Sequence, residues 1–149
     1  MFISYSHLDK QWLDLLKTHL KPLVKYKKLA VWDDKMIKSG EKWQDRIEGA
    51  LASAKVAVLL VSPNFLASDF ILEIELPTLL KAAESEGLYM LWIPVSASSY
   101  DTTDLQPYQA AQEPKEPLDM LPEGRRNQVM VEICKRIAEA CDDGTSEKS

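Results

Sequence analysis

The sequence predicts an α/β fold, a single domain built on a doubly wound parallel sheet of about five strands. Short β-prone segments alternate with segments of helical period along most of the chain. The segment Val56–Val61 has six consecutive apolar residues, which is typical of a strand covered on both faces. The length of 149 residues matches the usual size of one domain.

The predicted elements follow one another as strand and helix. The first strand covers 2–5, and Asp9 is placed to cap the helix that follows, which weakens near Pro22. The irregular stretch 96–122 leaves room for a helical turn and a brief fifth strand within 105–111. Residues 1–141 are predicted to form the domain and 142–149 a polar tail or linker. The other predicted elements are strands at 29–32, 56–61 and 89–95, and helices at about 43–51, 68–84 and 124–141.

Short connections between repeated strand and helix units require parallel strands and right-handed crossovers. The common order for five such strands is 2-1-3-4-5, the flavodoxin-like arrangement, in which ligands bind above the carboxyl ends of the first and third strands. The loops at 6–9, 33–40 and 62–68 are expected to meet there.

Composition argues against several classes of partner. The net charge is −5, and no window concentrates Lys and Arg, so nucleic acid is not expected as a partner. No apolar run reaches the roughly 18 residues of a membrane span, and no signal peptide is indicated.

Cys134 and Cys141 are separated by about 10 Å of helical rise, too far for a disulfide. We expect reduced thiols, a cytoplasmic location and no metal site.

The loop after the first strand restricts the chemistry further. The run from Ser6 to Asp9 contains no glycine, which excludes the usual dinucleotide-binding turn and also the phosphate loop of a flavin site. A phosphoacceptor domain needs an aspartate at the end of the third strand, where this chain has Ser62. These three functions are therefore not predicted.

The segment after the third strand is the most informative. Glu73 is expected to face water, whereas Glu75 should lie at the boundary of the apolar stripe. Pro77 cannot donate a backbone hydrogen bond, so the helix should kink or restart near Glu75. On periodicity alone Glu75 is also compatible with an ordinary position on the flank of the helix. At 100° per residue the predicted buried stripe is Leu72, Leu76, Leu79 and Ala83.

Four ordered motifs extend over most of the chain. They are Phe2-Ile3-Ser4-Tyr5-Ser6-His7-Leu8-Asp9, Val31-Trp32-Asp33-Asp34 with Gly40 and Trp43, Leu60-Val61-Ser62-Pro63-Asn64-Phe65, and Ser68-Asp69 through Glu75-Leu76-Pro77. Together these motifs resemble the TIR (Toll/interleukin-1 receptor) domain family. The Glu-Leu-Pro sequence at 75–77 is similar to bacterial TIR domains, and Ser39 stands where receptor-type domains have a proline.

The resemblance implies cleavage of NAD⁺ at the bond between nicotinamide and ribose, with NAD⁺ as substrate and no further cofactor. Glu75 matches the glutamate that carries this reaction in the family. Ile71 stands where active relatives have an aromatic residue. The positions that the resemblance associates with NAD⁺ binding are Ser6, His7, Asp34, Lys38, Trp43, Ser68 and Ile71.

Three functions remain open from the sequence. The first is an NAD⁺ glycohydrolase that produces ADP-ribose or a cyclic variant. It would act as the effector of bacterial antiphage defence. Self-association with other TIR domains would activate it, in response to a sensor that lies outside this chain. The second is a TIR interaction module without catalysis, which Ile71 favours. The third is a nucleoside deoxyribosyltransferase. The enzymatic prediction requires Glu75 to face the groove beside the first strand. If Glu75 were buried under other packing or turned outward from that groove, only the interaction module would remain.

Overall fold

The computed structural model describes residues 1–33 and 43–146. Within them lies one five-stranded sheet in the order β2-β1-β3-β4-β5, and every neighbouring pair of strands is parallel. The predicted fold class and strand order are thus confirmed. The strands are β1 (Phe2–Ser4), β2 (Trp32–Asp33), β3 (Val56–Val61), β4 (Tyr89–Pro94) and β5 (Gln109–Ala110).

Helices cover both faces of the sheet. Apolar residues of α1 and α5 pack in one core layer, and those of α2 and α4 pack in the layer on the opposite face. A π-helical turn, Ile71–Glu75, directly precedes α4. The helices are α1 (Lys10–Tyr26), α2 (Trp43–Ser53), α3 (Pro63–Ala67), α4 (Leu76–Ser85) and α5 (Glu123–Ser146), with short 3₁₀ turns at His7–Asp9, Tyr100–Thr102 and Leu118–Met120.

Strand β3 is central and buried on both faces, as predicted. All six of its residues are buried, and it pairs with β1 on one side and β4 on the other. Successive side chains point to opposite faces of a strand. Val56, Val58 and Leu60 accordingly lie in the layer with α1 and α5, whereas Ala57, Leu59 and Val61 lie in the layer with α4.

Several boundaries differ from the sequence prediction. Strand β2 begins only at Trp32, because the Leu29 N–H instead bonds the Leu23 carbonyl at 3.2 Å and closes the end of α1. Pro22 lies inside α1, which continues to Tyr26. Helix α5 continues to Ser146, beyond the predicted end at 141.

The segment after β3 starts a helix earlier than predicted. The sequence predicts a loop over 62–68, with the helix beginning near Ser68. Instead α3 begins at Pro63, and the Ser62 hydroxyl accepts a hydrogen bond from the Phe65 N–H at 3.0 Å. A serine cap followed by proline in the first turn is a favourable helix start. The loop prediction was therefore wrong over Pro63–Ala67.

The π-helical turn also shifts which residues face the core. The Leu76 N–H bonds the Ile71 carbonyl, five residues back, so this turn holds one residue more than an α-helical turn. Leu72, predicted to be buried by a uniform 100° period, is 38% exposed, and Ile71 is buried instead. The restart expected near Pro77 is confirmed, because α4 begins at Leu76 with the proline in its first turn.

Two further predictions concern membrane-spanning helices and a disulfide bond. No helix in the described ranges is long and apolar enough to cross a membrane. Cys134 is buried and Cys141 is partly buried, and the two do not form a disulfide.

Candidate functional site

A cleft opens at the carboxyl ends of β1 and β3, where the strand order places the ligand site. Its volume is about 460 Å³, within the usual range for small-molecule sites. The first and third predicted loops both contribute to it. The residues that line it are Tyr5, Ser6, His7, Leu8, Asn64, Ala67, Ser68, Phe70 and Ile71.

One wall of the cleft is the turn that follows β1. Ser6 is buried, and its hydroxyl accepts a hydrogen bond from the Leu8 N–H at 3.3 Å. This bond caps the 3₁₀ turn His7–Asp9. His7 is exposed, and its ring lies 5.5 Å from the ring of Tyr5. Ser6 and His7 therefore present polar groups at the cleft, where the sequence prediction places them.

The opposite wall is formed by the start of the helical segment after α3. The Ser68 hydroxyl accepts a hydrogen bond from the Ile71 N–H at 3.3 Å, which fixes the first turn of that segment. Ile71 is only 2% exposed, yet it lines the cleft. The structure thus brings Ser6, His7, Ser68 and Ile71 to one cavity.

Asp9 connects the turn after β1 to the start of α3, a role that the sequence did not reveal. It was predicted to cap α1, but its side chain makes no capping hydrogen bond. The Ser62 hydroxyl donates to one carboxylate oxygen of Asp9, and the Asn64 amide donates to the other at 3.0 Å. The position of Asp9 before a helix indicated only a cap. The partners more than 50 residues away had no local signal.

Glu75 is more deeply buried than predicted. It was expected at the boundary of the apolar stripe, but it has no exposed surface. The hydroxyl of Ser4, which is itself fully buried, donates a hydrogen bond to Glu75 Oε1. The reason is the π-helical turn, which rotates Glu75 toward β1. Glu75 therefore faces the end of β1, but it is buried and is not among the residues that line the cleft, so the condition set from the sequence is met only in part.

Each residue of the Ser4–Glu75 pair is nevertheless close in sequence to a residue that lines the cleft. Ser4 precedes Tyr5, and Ile71 lies one helical turn before Glu75; Tyr5 and Ile71 both line the cavity. Glu73, in contrast, is exposed as predicted. In this conformation, Glu75 offers no surface to a molecule in the cleft.

The remaining predicted binding residues are not tested by the described part of the chain. Asp34 and Lys38 lie outside the described residues, and so does the side chain of Trp43.

The end of β2, just before Asp34, is fixed by a buried aspartate. Asp33 is 1% exposed, and the Lys17 ammonium lies 2.6 Å from its carboxylate.

The side chains at the cleft suit an organic ligand better than a metal ion. Over residues 1–33 and 43–146, no group of three or more His, Cys, Asp or Glu residues is placed to hold one. The polar groups at the cleft are instead hydroxyls, an imidazole and an amide, from Ser6, Ser68, His7 and Asn64. Such groups suit hydrogen bonding to a polar organic ligand.

The fold and this cleft define a flavodoxin-like α/β domain with a polar crevice at the carboxyl edge of its sheet. The model of the TIR domain family matches residues 1–129. The chain therefore belongs to the TIR domain family, as the sequence motifs indicated.

One curated protein is similar to this chain over most of the chain's length. The chain is 25% identical over 140 residues to y4lF, described as an uncharacterized protein, from Sinorhizobium fredii (strain NBRC 101917 / NGR234). The match covers 94% of this chain and 43% of the relative, so the chain spans less than half the length of that protein.

Proposed function

We propose that this TIR domain is an NAD⁺ glycohydrolase that cleaves the bond between nicotinamide and ribose, with Glu75 as its catalytic carboxylate. One observation carries the proposal. Glu75 is completely buried beside the ligand cleft and held there by Ser4. Burying a carboxylate is costly, and an apolar residue at such a position often gives equal or greater stability. A glutamate kept there at that cost favours a functional role.

The chemistry requires only one carboxylate. Nicotinamide leaves NAD⁺ as a neutral base that takes the bonding electrons, so no acid needs to protonate the leaving group. Positive charge then develops on the ribose, and a nearby carboxylate stabilises it in a cleft with little water. Attack by water on the ribose carbon gives ADP-ribose, whereas attack by a nucleophile of the same molecule gives a cyclic product.

The cleft has suitable groups for the rest of the substrate. Ser6, His7 and Ser68 can form hydrogen bonds to ribose hydroxyls or to phosphate oxygens. Ile71 supplies an apolar wall, in place of an aromatic residue, against which the nicotinamide ring can pack. Asp34, Lys38 and Trp43 complete the proposed set of binding residues, either in the same molecule or from a neighbouring copy.

The biological setting is a further part of the proposal. We propose that the domain is a cytoplasmic effector of bacterial antiphage defence that becomes active when TIR domains associate. A sensor in another part of the same protein, or in a partner protein, would bring the domains together. The length of the relative, of which this chain matches 43%, is compatible with such an additional part.

A second function is favoured by a specific observation. Glu75 has no exposed surface, and Ile71 lacks the aromatic ring of active relatives. Both features fit an interaction module that recruits other TIR domains without chemistry. The third function left open by the sequence, a nucleoside deoxyribosyltransferase, is supported by no additional observation and is distinguished by assaying deoxynucleosides as substrates.

Turnover of a fluorescent NAD⁺ analogue tests the proposal, with the domain clustered on a surface or fused to an oligomer. We expect turnover by the unaltered chain and a loss of about 100-fold or more in Glu75→Gln, since one electrostatic contact to the transition state is removed. The matched control is Glu73→Gln, an exposed glutamate two residues away, which should keep full activity. Undiminished turnover by Glu75→Gln would refute the role of Glu75. Absence of turnover under every clustered condition would favour the interaction module.

A further inference from the structure

The hydrogen bond between Ser4 and Glu75 joins two parts of the chain that differ in rigidity. Ser4 ends β1, which is held between β2 and β3, and the register places Ser4 opposite Leu59 of β3. Strand alternation puts Ser4 on the same face as Phe2, toward the layer that contains Ile71 and Leu76. The donor is thus fixed by the sheet.

Glu75, in contrast, belongs to the π-helical turn. Such turns are rare and frequently occur at functional sites. Pro77 lies two residues after Glu75 and has no backbone N–H. A change of helical register at Pro77 therefore breaks no hydrogen bond donated by that residue. Of the two partners, Glu75 is therefore the one able to move.

The position of Glu75 in this structure is closed to substrate. The carboxylate has no exposed surface and does not line the cavity, whereas Ile71, the first residue of the same turn, does. A substrate-competent state requires Glu75 to leave Ser4 and enter the cleft.

We propose that Ser4 is a positioning residue that holds Glu75 in this closed state, and that a shift of the Ile71–Glu75 turn releases it. This inference rests on the proposed function, because the released carboxylate is the one assigned to catalysis. A ligand or a neighbouring copy that binds only the open state shifts the population toward it. The isolated domain then stays latent even when NAD⁺ is present.

Carboxylate labelling tests the inference without relying on activity. The chain is treated with a water-soluble carbodiimide and glycine ethyl ester, and the modification of each carboxylate is followed by peptide mass spectrometry. In the unaltered chain we expect Glu73 to be labelled readily and Glu75 to be protected. In Ser4→Ala, labelling of Glu75 should rise about tenfold or more, because a hydrogen bond to a charged group is lost from the closed state. Ser4→Thr, which retains the hydroxyl, should restore protection.

Asp9 is the internal control for folding. It is a second buried carboxylate, 6% exposed and bonded to Ser62 rather than Ser4, so it should stay protected in every folded variant. If Ser4→Ala exposes Asp9 as well, the same comparison is made with Ser4→Cys, which is similar in size and a weaker donor. Release of Glu75 with Asp9 still protected supports the inference. Unchanged protection of Glu75 in a folded variant overturns it.

NAD⁺ turnover measured on the same samples separates this inference from the proposed function. If Ser4 restrains an active glutamate, unclustered Ser4→Ala should turn over NAD⁺ about tenfold faster than the unaltered chain, in parallel with the labelling. Release of Glu75 without any turnover would uphold the role of Ser4 and contradict the proposed function. Faster turnover with Glu75 still protected would overturn the role of Ser4 alone.

Discussion

The Ser62 hydroxyl donates a hydrogen bond to the carboxylate of Asp9, although 53 residues separate the two in the sequence. Ser62 follows β3 and also caps α3, whereas Asp9 ends the turn after β1. Asn64 adds a second bond to the same carboxylate at 3.0 Å. One aspartate therefore connects the turn after β1 to the start of α3.

Replacement of Asp9 is expected to lower the stability of the fold. In Asp9→Ala the free energy of unfolding should fall by about 1–3 kcal/mol, because the buried Ser62 hydroxyl and the Asn64 amide lose their acceptor. Urea unfolding followed by circular dichroism measures the change. Asp14→Ala is the matched control, since Asp14 is exposed and its carboxylate lies 3.9 Å from the Lys10 ammonium. It should cost less than about 0.5 kcal/mol, and equal losses in both variants would contradict the assigned role of Asp9.

Replacement of Lys28 is expected to raise stability. Lys28 has a φ of 58°, the left-handed conformation that follows the end of α1 and that side chains disfavour. Lys28→Gly removes this strain and should raise the free energy of unfolding by about 0.5–1 kcal/mol, after allowing for the greater entropy of glycine in the unfolded chain. Thermal and urea unfolding provide the measurement.

Lys21→Gly is the matched control for Lys28→Gly. Lys21 is also exposed but lies within α1, where glycine should lower the free energy of unfolding by about 1 kcal/mol. Opposite signs for the two variants are expected. A loss of stability in both would show that the conformation at Lys28 is not strained.

The two cysteines are expected to differ in reactivity. Burial raises the pKa of the Cys134 thiol to about 11. Below that pH the thiol is mostly protonated, so its rate of alkylation by iodoacetamide should rise about tenfold per pH unit between pH 7 and 10 and remain slow at pH 8. A Cys141→Ser variant isolates Cys134 for this measurement by mass spectrometry. Rapid alkylation of Cys134 at pH 8 in the folded variant would contradict the expectation.

The raised pKa of Cys134 also fixes the sign of its contribution to stability. The unfolded chain releases the thiol proton at lower pH than the folded chain does, because its thiol is solvated. The contribution is therefore complete below the unfolded pKa, near 9, and is lost as the pH rises toward 11. In a Cys134→Ala variant this part of the alkaline loss of stability should be absent, relative to the unaltered chain.

Local patterns in the sequence determined the fold. The six apolar residues of Val56–Val61 predicted a central strand, and the alternation of strands and helices predicted a parallel sheet with its cleft above β1 and β3. These predictions succeeded because periodicity and burial are properties of each segment by itself. The motifs of the TIR family likewise identified the segment that contains Glu75.

Only the tertiary structure decided how the cleft residues contact one another. The uniform helical period failed at Leu72, because the π-helical turn adds one residue whose backbone bond is set by packing rather than by local preference. The bonds of Ser4 to Glu75 and of Ser62 to Asp9 join residues 71 and 53 positions apart. Such contacts depend on where the sheet brings the strand ends together, and no local pattern in a single sequence carries that information.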